Sequence, residues 1–129
     1  IFSDYLATSG LDVIAIDIDP KGKDIIKADF LTYELEYKKG RFIIGNPPYI
    51  RYQFFDRQQQ VEAGEIFAKA GLSYSKLTNA WVSFVVGSSL LLKEKGKIGF
   101  VLPAEILQVS YAQQLREFIS TFYNKINII

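Results

Sequence analysis

The stretch "RFIIGNPPYI", residues 41–50, constrains the fold more than any other. An apolar run, Phe42 to Ile44, leads almost directly into Asn46 and two adjacent prolines. Asn46 precedes Pro47, and Pro47 precedes Pro48, so contact with each proline ring drives the residue before it into extended backbone. Both prolines have a fixed φ and no N–H. A strand therefore ends in a stiff loop whose carbonyls have few local donors.

The rest of the chain repeats the theme of apolar runs between helical segments. "IFSDYLATSG" has helical spacing, with Gly10 as its C′ residue. "LDVIAIDIDP" gives a buried strand, Val13 to Ile18, with an acidic end, and "KGKDIIKADFL" leads to a shorter strand ending near Asp29. "TYELEYKKG" is a polar connection. The stretch from Asn46 to Asn79 is long, aromatic-rich and weakly periodic, a functional or partly helical loop. "NAWVSFVVGSSLLLKEKG" predicts a helix capped by Thr78 or Asn79 and ended by Gly96. "KIGFVLP" is a strand stopped by Pro103. "SYAQQLREFISTFY" is an amphipathic helix with Leu115, Phe118, Ile119 and Phe122 on one face, and "KINII" starts a last strand.

Continuous apolar strands alternating with helices predict an α/β fold, a mostly parallel sheet with helices on both faces. In such sheets ligands bind beyond the carboxyl ends of the strands. Asp17 and Asp19, Asp29, "NPPY", and Pro103 with Glu105 all fall on that edge. Lys93, Lys95 and Lys97 fall on the opposite edge and read as a solvated turn.

Composition narrows the chemistry. The 129 residues have the length of one domain, and 49% are hydrophobic, enough for a core. A net charge of +1 leaves any basic surface local. No cysteine means no disulfide, thiolate metal site or cysteine nucleophile, and no histidine removes the commonest general base. The apolar run "VSFVVGSSLLL" is shorter than a membrane span and is interrupted by Gly87, Ser88 and Ser89. No stretch of these residues reads as a secretion signal. Methionine is absent even at position 1 and the opening reads as mid-helix, so the sequence is expected to be an internal piece of a longer protein.

The "NPPY" loop offers a side-chain carbonyl at Asn46, a main-chain carbonyl at Pro47 and a flat ring with a polar tip at Tyr49. Two acceptors beside a stacking surface suit an NH₂ group on a planar conjugated ring. Such an amine is a poor nucleophile because its lone pair is delocalised. Accepting from both its hydrogens favours a pyramidal nitrogen and localises that pair, by preorganised electrostatics and positioning. The plain alternative is a turn whose tyrosine covers the core.

The loop resembles motif IV of amino-methyltransferases that use S-adenosyl-L-methionine. The wider frame resembles the gamma-type adenine-N6 DNA methyltransferases, especially those of type IIG restriction-modification enzymes. "VIAIDIDP" is similar to their second strand, "KADFL" to the third motif and "GNPPYIRYQFF" to the catalytic loop. "GKIGFVLPAEILQVSYAQQLREFI" is similar to their fifth strand, the loop after it and the next helix. The resemblance implies an incomplete Rossmann-like methyltransferase fold over residues 1–129. It implies methyl transfer to the N6 amine of an adenine flipped out of double-stranded DNA. Asp17 would bind the cofactor ribose, Asp29 its adenine amine, Ile18 and Phe30 would sandwich that ring, and Pro48 would sit near the cofactor. Asn46 and the Pro47 carbonyl would hold the target amine, and Tyr49 would stack on the target base. Arg51, Arg57, Lys69 and Lys76 would touch phosphates, or simply solubilise the surface. No metal or membrane is implied. A fused or partner nuclease, a specificity domain and a cytoplasmic setting in a bacterium or archaeon are.

The family's glycine-rich cofactor loop does not occur in this chain. It and the first strand are expected before Ile1, and the target-recognition domain after Ile129. These residues alone are therefore expected to bind the cofactor weakly and to be inactive. Three rivals stay open. Glutamine-N5 protein and RNA guanine-N2 methyltransferases also carry "NPPY", and a degenerate module could hold DNA or a partner without catalysis. Asp17, Asp19 and Asp29 could be simple turn acids. Carbon-5 cytosine methylation is disfavoured, because it needs a cysteine.

Overall fold

The computed structural model describes residues 2–75 and 78–129 and divides the chain into two compact units, 1–34 and 35–129. It is a mixed α/β structure in which both strand pairings are parallel.

In the first unit, helix α1, Phe2–Thr8, ends before Gly10, whose φ of 79° makes it the expected left-handed C′ residue. Strands β1, Ile16–Asp17, and β2, Ile26–Lys27, form a two-stranded parallel sheet. The Ala15 carbonyl accepts from the Ile26 amide and the Asp17 carbonyl from the Ala28 amide. Leu31 is buried, whereas Ile14 and Ile18 are exposed.

In the second unit, β3, Gly40–Gly45, pairs in parallel with β4, Leu92–Phe100. Between them lie a 3-10 turn at Tyr52–Phe54 and two helices, α2, Arg57–Lys69, and α3, Ala80–Leu91. After β4 come 3-10 turns at Ala104–Leu107 and Ser110–Ala112, then α4, Gln113–Phe122. α3 is apolar all round and forms the core: Ala80, Trp81, Val82, Val85 and Val86 are buried, with Phe55, Ala63, Ile66 and Phe67 on the α2 side and Leu92, Ala112 and Leu115 beyond. Ser89 satisfies its buried hydroxyl by donating to the Val85 carbonyl and sharing a 2.7 Å bond with Tyr123. α4 buries Leu115 in its first turn, half-buries Phe118 and Ile119, and exposes Phe122.

Several sequence expectations are corrected. The apolar runs form two separate two-stranded sheets rather than one sheet covered on both faces. Phe42 and Ile44 project from the same face of β3 and stay open, 64% and 58% exposed, whereas Ile43 on the other face is half-buried. β4 stops at Phe100, short of Pro103. "KINII" forms no strand, and residues 124–129 are exposed. α3 ends at Leu91 rather than at Gly96, because Leu92 is already extended. Gly96 instead lies inside β4, at a shift in its register with β3, where a Cβ would lie 2.9 Å from the Lys93 carbonyl oxygen. Lys93, Lys95 and Lys97 are exposed as expected, but they stand within β4 rather than in a turn, Lys95 with a φ of 63°.

The 46–79 stretch holds a full helix that its composition conceals. Asp56 caps α2: its Oδ1 accepts from the Gln59 amide at 2.8 Å, and Gln59 Oε1 accepts from the Asp56 amide at 3.0 Å. This reciprocal capping box satisfies two backbone donors at once. Among the described residues no helix is long and apolar enough to cross a membrane.

Candidate active site

Because β3 and β4 are parallel, their carboxyl ends share an edge, and the segments leaving them meet there. The Val101 amide donates to the Gly45 carbonyl at 3.2 Å, extending the pairing to the last residue before Asn46. Pro47 is buried and Pro48 half-buried, so the loop is seated while Asn46 and Tyr49 remain exposed. The Tyr49 hydroxyl lies 3.1 Å from Asn46 Oδ1 and 3.0 Å from the Val101 carbonyl oxygen. Tyr49 is 49% exposed, which leaves ring surface open for stacking. The Asn46 amide is not turned onto the protein's backbone, and the phenol is not sealed inside. Among the described residues no donor is bonded to the Pro47 carbonyl.

The segment after β4 is fixed by side chains that reach back from α4 and from the 3-10 turn before it. Arg116 donates at 2.9 Å to the Ile106 and Val109 carbonyls, and Tyr111 donates to Glu105 Oε2 at 3.0 Å. Burial, then the bond to Glu105, pushes the Tyr111 phenol above its ordinary pKa, while the nearby positive charge of Arg51 acts the other way. Arg51 therefore stands on the same side as this segment, with its backbone bridged to Asn79. A cavity of about 370 Å³ opens beside Thr78, Val82, Ser110, Tyr111, Gln113 and Leu115. None of its walls comes from residues 46–49.

The remaining predicted contacts scatter. Arg57 is exposed in the first turn of α2. Lys69, in the last turn, donates to the Tyr37 hydroxyl at 3.0 Å, and that bond raises its pKa. Tyr37 precedes β3, so Lys69 sits at the opposite edge from Asn46 and serves the carbonyl end of its helix. Lys76 lies outside the described residues.

In the first unit, the two predicted cofactor acids stand at the carboxyl ends of parallel strands, Asp17 as the last residue of β1 and Asp29 two residues beyond β2. Both make turns. Asp17 Oδ1 accepts from the Asp19 amide at 2.8 Å, and Asp29 Oδ1 from the Leu31 amide at 2.9 Å. These bonds orient the carboxylates, and Asp17 Oδ2 carries no hydrogen bond among the described residues. Ile18 is exposed and Phe30 half-buried. Asp19 pairs with Lys21 at 2.7 Å in solvent, a contact worth little.

Two features that sequence reasoning missed are the Val101 carbonyl and Arg116. The first is a backbone atom with no residue signature. The second was visible only as one charge on an amphipathic helix.

The family model of the Eco57I restriction-modification methylase matches residues 12–129. The chain belongs to that family. The matched span includes Asp17, Asp29, the Asn46–Tyr49 loop and the whole segment after β4. The chain is 31% identical over 105 residues to the type II methyltransferase M.BstVI of Geobacillus stearothermophilus, covering 77% of this chain and 18% of that protein. It is also 31% identical over 120 residues to the type II restriction enzyme and methyltransferase RM.Eco57I of Escherichia coli, covering 93% of this chain and 11% of that protein. The chain thus spans less than a fifth of either relative.

Proposed function

We propose that these residues are part of the catalytic domain of a longer DNA methyltransferase, which moves a methyl group from S-adenosyl-L-methionine to the N6 amine of a flipped-out adenine. The observation that carries this reading is the exposed Asn46 carboxamide beside the stiff, seated prolines and the half-exposed Tyr49 ring. The Eco57I methylase family gives that arrangement a context, and a restriction-modification enzyme would act on double-stranded DNA.

The residues fit the ribose and adenine ends of the cofactor. Asp17, oriented by its own turn and with one oxygen left over, suits a pair of ribose hydroxyl donors. Asp29, Phe30 and Ile18 suit the adenine amine and ring, and Pro48 the neighbourhood of the reacting group. The bound cofactor supplies an electrophilic methyl group. Asn46 Oδ1 and the Pro47 carbonyl accept the two N6 hydrogens, which draws the nitrogen lone pair out of conjugation and points it at its target. Tyr49 stacks on the extruded base, whose extrusion is required because an adenine within the duplex is out of reach. Arg51 and Arg57, both exposed just beyond the loop, contact phosphate. A Rossmann-like sheet, a specificity domain and a nuclease belong to the same reading of the longer protein.

Product identity tests the proposal. The full-length protein is incubated with labelled S-adenosyl-L-methionine and unmethylated duplex DNA, and the DNA is digested to nucleosides. Label in N6-methyladenine is the expected result. Label confined to protein glutamine, to guanine, or nowhere contradicts it.

A further inference from the structure

The Tyr49 hydroxyl faces two acceptors, Asn46 Oδ1 at 3.1 Å and the Val101 carbonyl at 3.0 Å. A phenol has one proton to donate, so the two bonds compete. We propose that the hydroxyl is a positioning group that holds the Asn46 carboxamide before substrate binds and transfers wholly to the Val101 carbonyl when the substrate amine takes Asn46 Oδ1. This rests on the amine-binding reading of Asn46.

Three observations support the exchange. Asn46 is exposed, and a free surface carboxamide would sample several rotamers, so a local donor that fixes it lowers the ordering cost of reaching the reacting geometry. The Val101 carbonyl is a fixed acceptor. Its own amide is tied to Gly45, on the strand that carries Asn46, and Arg116 and the Glu105–Tyr111 bond hold the residues beyond it. Tyr49 is half-exposed, so with its hydroxyl on Val101 the ring keeps its orientation while one face remains open. The phenol is hydrogen-bonded before and after the exchange. Its removal therefore changes affinity for DNA little, and what is lost is ring orientation in the reacting complex.

Tyr49→Phe and Tyr49→Ala in the full-length protein separate these effects, with duplex DNA binding and single-turnover methyl transfer measured for each. Tyr49→Phe is expected to bind DNA within about twofold of wild type and to transfer roughly fivefold to tenfold more slowly, the effect of one neutral hydrogen bond. Tyr49→Ala is expected to lose DNA affinity as well as rate. A wild-type rate for Tyr49→Phe overturns the proposal. So does a Tyr49→Phe variant that loses binding and rate together, or one whose thermal midpoint falls, since the hydroxyl would then be structural. Asn46→Ala provides the separate arm. If it transfers normally, the amine-binding reading itself fails, whereas an inactive Asn46→Ala with a fully active Tyr49→Phe removes only the positioning role.

Discussion

Asn46 and Tyr49 stand out in the sequence as single residues because their chemistry lies in their side chains, and the two prolines between them fix the backbone locally. The partner that holds Tyr49 was not legible, because a main-chain carbonyl looks the same at every position. Asp17 illustrates a mixed case. Its turn role and its proposed ribose role coexist, since Oδ1 serves the Asp19 amide and Oδ2 stays open. Asp17→Ala should therefore weaken binding of S-adenosyl-L-methionine to the full-length protein by roughly tenfold or more, the scale of a charge-assisted hydrogen bond. Titration calorimetry reads this directly, and unchanged affinity would leave Asp17 as a turn residue alone.

At the scale of elements, parallel pairing, α1 and α4 were readable from periodicity, and the boundaries were not. The apolar character of α3 runs on through Leu92, so no change in composition marks where the helix stops. Strand burial was misjudged because an apolar run signals cover on both faces only when other elements pack on both, and in β3 the face of Phe42 and Ile44 stays open while that of Ile43 is half-buried. α2 reads in the sequence only as a partly helical stretch, because the aromatic segment before it masks where the helix starts, although Asp56 and Gln59 have the spacing of a capping box. Asp56→Ala should cost about 1 kcal/mol of stability by denaturant unfolding. A change within error would show that α2 is held by Ala63, Ile66 and Phe67 instead. Arg116→Met should retain its apolar contacts but release two carbonyls, speeding amide exchange across residues 106–112 while leaving α3 protected.

For the whole molecule, the titration that matters is alkaline. The phenols of Tyr74, Tyr111 and Tyr123 are all pushed up, in each case first by burial. A raised folded pKa means that the folded state keeps its proton longer. The associated stability is complete below the unfolded value, about 10, and is lost as pH rises through the folded values. The thermal midpoint should thus fall above about pH 10. Tyr74→Phe should soften that fall at little cost near neutrality, because its buried hydroxyl and the Ser83 hydroxyl that approaches it form no hydrogen bond. A midpoint that stays flat into strong alkali would contradict the burial of these rings. The central claim, that the Asn46 carboxamide grips the substrate amine, is tested most directly by Asn46→Ala in single turnover with bound cofactor. Cofactor affinity should be retained while N6-methyladenine formation falls by roughly 10²–10³-fold, the range for removing one preorganised polar partner. Transfer at the wild-type rate would contradict it.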